Sequence, residues 1–213
     1  MKLSTTLATG AAFLLASCGP KTLALPAEPV DRAATCGVVA AAEARAATPD
    51  ITQPLPFTAQ GRILHYALLA GAAGEEFSAE AATRVNARMS ELQEEITGGK
   101  WEELGPACRA AFPVVENEDV TLPEDRFDAQ LGCDEIGDFM SAALRSQEAD
   151  YGAQLSEYRA VARNLDQTLG PGLRSRAGAG LEAQQQARRV ALSEFAKLGS
   201  PVAIMRQCVE RYG

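Results

Sequence analysis

Cysteine spacing constrains this chain more than any other feature. Cys36 and Cys108 lie 72 residues apart and Cys133 and Cys208 lie 75 apart, while a fifth cysteine, Cys18, stands near the start. The later member of each couple sits in a similar setting. Residues 101–113 read W-E-E-L-G-P-A-C-R-A-A-F-P and residues 201–213 read P-V-A-I-M-R-Q-C-V-E-R-Y-G, each a short helical pattern with an aromatic residue, Phe112 or Tyr212, four positions past the cysteine. The expectation is a duplicated helical unit, spanning 33–112 and 131–213. At an offset of 100 residues Arg88 falls on Arg188, Leu92 on Leu192, Glu94 on Glu194 and Gly99 on Gly199. Alanine-rich amphipathic helices also match one another by chance, so that alternative stands beside duplication.

The hydrophobic period is helical throughout. Val85, Met89, Leu92 and Ile96 step along one face, as do Tyr151, Leu155, Tyr158, Ala162 and Leu165. No strand-like alternation of useful length occurs, so the fold class is all-α: two tandem small bundles of four helices. The helices are expected near 33–47, 58–69, 78–97, 101–112, 133–146, 148–169, 181–198 and 201–212. Thr58 and Ser78 are read as starts, Gly98-Gly99 and Gly170-Pro171-Gly172 as stops, and Ser200-Pro201 as an N-cap with proline at the first helical position. Residues 113–130, with Pro113, Pro123 and five carboxylates between Glu116 and Asp125, read as a solvated acidic linker.

Four cysteines allow three pairings, and sequence does not choose among them. If each unit is an up-down-up-down bundle, its first and fourth helices are neighbours, and Cys36–Cys108 and Cys133–Cys208 become the natural pairs. A core of this size is worth about 3–5 kcal/mol, and a loop of this length closed by a disulfide adds roughly 4 kcal/mol. A small alanine-rich bundle therefore has a physical reason to carry a crosslink.

The first residues bear on location. Lys2 precedes an apolar run around Leu7–Leu15 that ends in Leu15-Ala16-Ser17-Cys18. That run is shorter than the roughly 20 residues a membrane-spanning helix requires, and it has the layout of a secretory signal. L-A-S-C resembles the lipobox of bacterial lipoproteins, over about the first 18 residues only. The resemblance implies cleavage after residue 17, lipid on Cys18, and membrane attachment through that lipid. Gly19, with no aspartate at that position, implies the periplasmic face of the outer membrane. Residues 18–32 would form a tether, with three prolines between Gly19 and Val30. The remaining four cysteines suit an oxidising compartment.

Candidate chemistry is sparse. His65 is the single histidine, set between Leu64 and Tyr66, and reads as a packed residue rather than a catalyst. There is no C-x-x-C, H-E-x-x-H, G-x-S-x-G or calcium-loop order. No metal, cofactor or catalytic residue is expected. The pairs Glu94-Glu95, Glu102-Glu103 and Asp134-Glu135 could serve as acid and base in glycan cleavage, but neighbours on a helix diverge. The glycine-rich segment 170–180 carries Arg174 and Arg176 and reads as a flexible turn. Charge is uneven: residues 75–150 hold 19 acidic and 6 basic side chains, residues 159–213 hold 4 and 9. Arg174, Arg176, Arg188 and Arg189 are the expected anion or partner face, either for an external partner or for docking of the two units on each other. With a formal charge of −8 the chain is a poor ligand for nucleic acid.

The expected function is a lipid-anchored envelope protein with a non-catalytic binding or scaffolding role, its partner an envelope protein or glycan. The alternatives are an inhibitor or immunity-type lipoprotein that blocks a hydrolase, and a carboxylate-dependent enzyme acting on peptidoglycan or lipid.

Overall fold

The computed structural model describes residues 24–213. Cys18 and its lipobox lie outside them. Within the described residues the chain is all-helical, with eight α-helices and no strand. The first four are α1 (Pro29–Ala46), α2 (Phe57–Gly71), α3 (Ala79–Thr97) and α4 (Gly105–Ala111). The second four are α5 (Arg126–Ala143), α6 (Glu148–Arg176), α7 (Leu181–Ala196) and α8 (Pro201–Tyr212). Both disulfides join the first and fourth helix of a group of four. Cys36–Cys108 spans 5.4 Å between Cα atoms and Cys133–Cys208 spans 5.7 Å.

Side-chain caps begin α1, α3, α5 and α8, each satisfying amides that a helix start leaves open. Glu28 accepts from Asp31 N at 2.7 Å, Ser78 Oγ from Ala81 N at 3.2 Å, and Asp125 Oδ1 from Phe127 N and Asp128 N at 2.9 and 3.0 Å. Ser200 Oγ accepts from Ala203 N, with Pro201 opening α8. Thr58 is not the cap expected of it: α2 starts at Phe57, straight after Pro56.

Three segments depart from their sequence reading. The tether expected over 18–32 is already helical from Pro29. Residues 113–130 are not a solvated linker. A 3-10 turn covers Pro113–Glu116, α5 begins at Arg126, and Val115, Val120 and Leu122 are buried. The segment is strapped over the α7–α8 corner. Asn117 Nδ2 donates to Leu198 O and Asn117 O accepts from Ser200 N, both at 2.8 Å. Gly199 sits under that strap at a φ of 155°, and a Cβ there would stand 2.6 Å from Asn117 O.

The third departure is Gly170-Pro171-Gly172, which does not stop α6. An interior proline forfeits one helical hydrogen bond and costs about 3 kcal/mol, yet the helix continues to Arg176. Leu169 and Leu173 are buried on either side, and Gly172 lies where any Cβ would overlap the Phe127 ring. Arg176 then binds Asp125 at 2.8 Å and Asp128 at 3.2 Å and stacks over Phe127. Tertiary contacts at the helix end outweigh the local signal. The one non-helical residue in α6 is Tyr151 (φ −121°, ψ 20°), where the helix bends.

The two groups of four share one continuous core, and α2 is its centre. It packs on α1 and α3, and also on α7, α8 and α5. Gly61 lies against Val202 of α8 so closely that a Cβ would overlap it. At the N-terminal end of α2, Phe57 meets the rings of Tyr151 and Tyr158 of α6 at 5.4 and 5.9 Å, and Tyr151 Oη donates to Leu55 O at 2.7 Å. With Arg62 as its only charge, α2 is apolar nearly all round, which is the pattern of a buried helix rather than of a surface one.

Candidate functional site

His65 of α2 lies at the seam where the two groups of four helices meet. Its side chain is fully buried, and Nε2–H donates to Ala196 O of α7 at 2.8 Å. Nδ1 has no hydrogen-bond partner. Burial penalises the charged imidazolium and pulls the pKa down to about 4, against the smaller opposing effect of the Ala196 hydrogen bond. A neutral histidine without access to solvent joins two helices; it has no route to a substrate.

The four arginines expected to share a face do not share one. Arg188 is bound by Asp134 at 2.9 Å and by Glu135, tying α7 to α5 within the second group. Arg189 pairs with Glu76 at 2.8 Å, across the seam. Arg176 is held by Asp125 and Asp128, and Arg174 forms no salt bridge among the described residues. Three of the arginines in the basic stretch 159–213 are thus met by carboxylates of α5, of its N-cap and of the 72–78 loop. That loop is pinned further by Phe77 N donating to Arg189 O at 3.0 Å, by Ser193 Oγ donating to Gly74 O at 2.9 Å and by Lys197 Nζ donating to Gly74 O at 3.1 Å.

The candidate carboxylate pairs are likewise accounted for. Asp134 and Glu135 are taken by Arg188, and burial raises the Glu135 pKa in spite of that arginine. Glu94, Glu95, Glu102 and Glu103 lie exposed on helix surfaces. Two carboxylates do converge elsewhere: Glu43 and Glu116 each meet Arg62 Nη2 at 2.8 Å. There Arg62 bridges the two carboxylates and pairs with both. Among the described residues no group of three or more histidines, cysteines or carboxylates is arranged to hold a metal, and no helix is long and apolar enough to cross a membrane.

What sequence reading missed is a groove between α1 and α3. Its volume is about 680 Å³, within the range of small-molecule sites. Val38, Ala41 and Ala42 of α1 form one wall. Asn86, Ser90, Gln93 and Thr97 form the opposite lip along α3, with Met89 beneath them. Leu55 and Trp101 complete the lining, and Ile51, 78% exposed, stands at the mouth. The legible signal is the run of alanines from Ala33 to Ala47: side chains of one carbon cannot fill the space between two helices. A second groove, about 520 Å³, runs between α5 and α7 over Leu131 and Phe195, but the end of α6 crosses it and its rim carries Asp128, Arg176 and Glu194.

No protein-family model matches this chain, and neither the curated proteins nor the solved structures contain a match to it.

Proposed function

We propose that this protein is a lipid-anchored component of the bacterial cell envelope that acts by binding rather than by turnover. The observation that carries the binding role is the α1–α3 groove, an apolar cleft left open beside an exposed isoleucine on a body otherwise closed by two disulfides. The address is supported by cysteine use. The two bridges engage four of the five cysteines, which leaves Cys18 in L-A-S-C as the one outside them. Persistent disulfides suit an exported chain.

Two measurements on cells test the reading. The mass of the membrane-extracted mature protein should include diacylglycerol on Cys18, and Cys18→Ala should release the chain from the membrane. A photo-reactive residue at Ile51 should give an adduct on irradiation, while one at Glu95, outside the groove, should not. An unmodified Cys18 would remove the anchor, and equal labelling at both positions would remove the binding role.

A further inference from the structure

We infer that the α1–α3 groove binds a single-chain amphiphile with an anionic head, of the fatty carboxylate class, its head at Arg45 and its chain along the alanine wall of α1. This rests on the binding role proposed above and names the ligand.

The first observation is electrostatic. The chain carries 28 acidic residues and a formal charge of −8, yet no carboxylate lines this groove. The α3 lip offers amides and hydroxyls instead, and the only charge in the lining is Arg45. An anion seated here meets no carboxylate in the lining and one cation, Arg45.

The second is the state of Arg45. No carboxylate lies within 4.0 Å of it among the described residues. Its Nη1 donates to two backbone carbonyls of the neighbouring loop, Gln53 O at 2.8 Å and Ile51 O at 3.3 Å. Carbonyl dipoles orient a guanidinium without cancelling its charge. Nε and Nη2 keep their hydrogens for a carboxylate head, the planar match for which arginine is suited. The same bonds hold the loop that presents Ile51, which Asp50 stabilises by accepting from Thr52 N at 2.9 Å and Thr52 Oγ1 at 2.7 Å. Ile51 is therefore held at the mouth rather than exposed by a wandering loop.

The third is shape. Val38, Ala41 and Ala42 give an apolar wall whose one branched side chain is the valine, against which an alkyl chain can lie. Trp101, the only tryptophan of the chain, is part of the lining and reports on occupancy.

The test uses the full chain carrying Cys18→Ala, so that no attached lipid competes and no detergent is needed. Dodecanoate should shift Trp101 emission to the blue, and a dodecanoate brominated on its terminal carbon should quench it. Affinity should rise about fourfold per added methylene from decanoate to tetradecanoate. Arg45→Gln should weaken dodecanoate about tenfold, as loss of a charge-assisted hydrogen bond would, and leave dodecanol unchanged. Arg45→Lys, which keeps the charge but loses the planar match, should weaken dodecanoate less than Arg45→Gln does, and guards against a loop that merely misfolds. Ala42→Leu, which narrows the groove, should abolish quenching while the circular dichroism stays helical. Quenching that survives Ala42→Leu places the chain elsewhere and overturns the site. Dodecanol or dodecyltrimethylammonium binding as tightly as dodecanoate overturns the anionic head. Absence of any quenching overturns the ligand class but leaves lipidation of Cys18 and the Ile51 adduct untouched, so the two proposals fail separately.

Discussion

The two groups of four helices share an order and a first-to-fourth disulfide, but they close their cores differently. In the second group the 29-residue α6 runs along α5 and α8 and its far end crosses the α5–α7 groove. In the first group the second helix, α2, has 15 residues and the fourth, α4, has 7. That group leaves the α1–α3 groove uncovered and places the outer face of α2 against α7 and α8. The first group therefore depends on the second for burial of its central helix, whereas the second encloses most of its own. The open groove and the shared helix both follow from the shortness of the elements around α1.

The largest expected effect concerns the feature the two groups share. Each disulfide closes a loop of nearly equal length, 72 or 75 residues, so replacing either pair by alanine should cost about 4 kcal/mol, read by denaturant unfolding. A markedly smaller loss for Cys36→Ala/Cys108→Ala would mean that the seam, not the bridge, holds the first group together.

Glycines beside the two first-helix cysteines separate the groups next. A Cβ on Gly132 would overlap the buried ring of Phe195, and a rigid ring must shift as a whole to clear it, so Gly132→Ala should cost about 3 kcal/mol. A Cβ on Gly37 would meet the Met89 sulfur at 2.7 Å, but that thioether borders the open groove and can rotate away. Gly37→Ala should cost less than about 1 kcal/mol, since helix propensity offsets part of the strain. Equal costs would contradict the contrast between a rigid ring and a flexible thioether at the first-to-third helix contact.

The seam should respond to acid. His65 is neutral in the folded protein, with a pKa pulled down to about 4 from the ordinary 6.5. Unfolded chain takes up the proton first, so stability is full above pH 6.5, declines as pH falls toward 4, and levels off below. The loss is about 3 kcal/mol, since each pH unit between the folded and unfolded values is worth about 1.4 kcal/mol. His65→Gln should flatten the stability profile in that window relative to wild type; identical profiles would show that the imidazole is not buried between α2 and α7.

Arg188 and Arg189 give the smallest effects and the sharpest contrast between neighbours. Arg188→Glu would set a third carboxylate against Asp134 and Glu135, whose side chains are largely buried, and should destabilise the second group by about 2 kcal/mol. Arg189→Glu breaks the half-exposed pair with Glu76 and should cost no more than about 1 kcal/mol, diminishing as salt is raised. If salt modulates both equally, Arg188 is not the partly buried tie described here.

Much of this architecture was legible in the residues. Helical period, the cysteine spacing and the Ser78, Ser200 and Pro201 signals are local properties, and local properties determine where helices begin and which neighbours a bundle brings together. Bundle geometry made Cys36–Cys108 and Cys133–Cys208 the natural pairs, and both are present. Tertiary structure decided what local rules cannot reach. Pro171 stayed inside a helix because Leu169 and Leu173 are buried around it and Phe127 packs on Gly172. The acidic segment became a strap because Val115, Val120 and Leu122, a minority of its residues, found apolar surface to cover. The four arginines of one charged stretch were parted because Arg176, Arg188 and Arg189 each meet a different carboxylate brought up by the fold. Alanines along α1 could be read as helix formers, but whether another element fills the space beside them depends on the length of helices elsewhere. Here none does, and the groove is what remains.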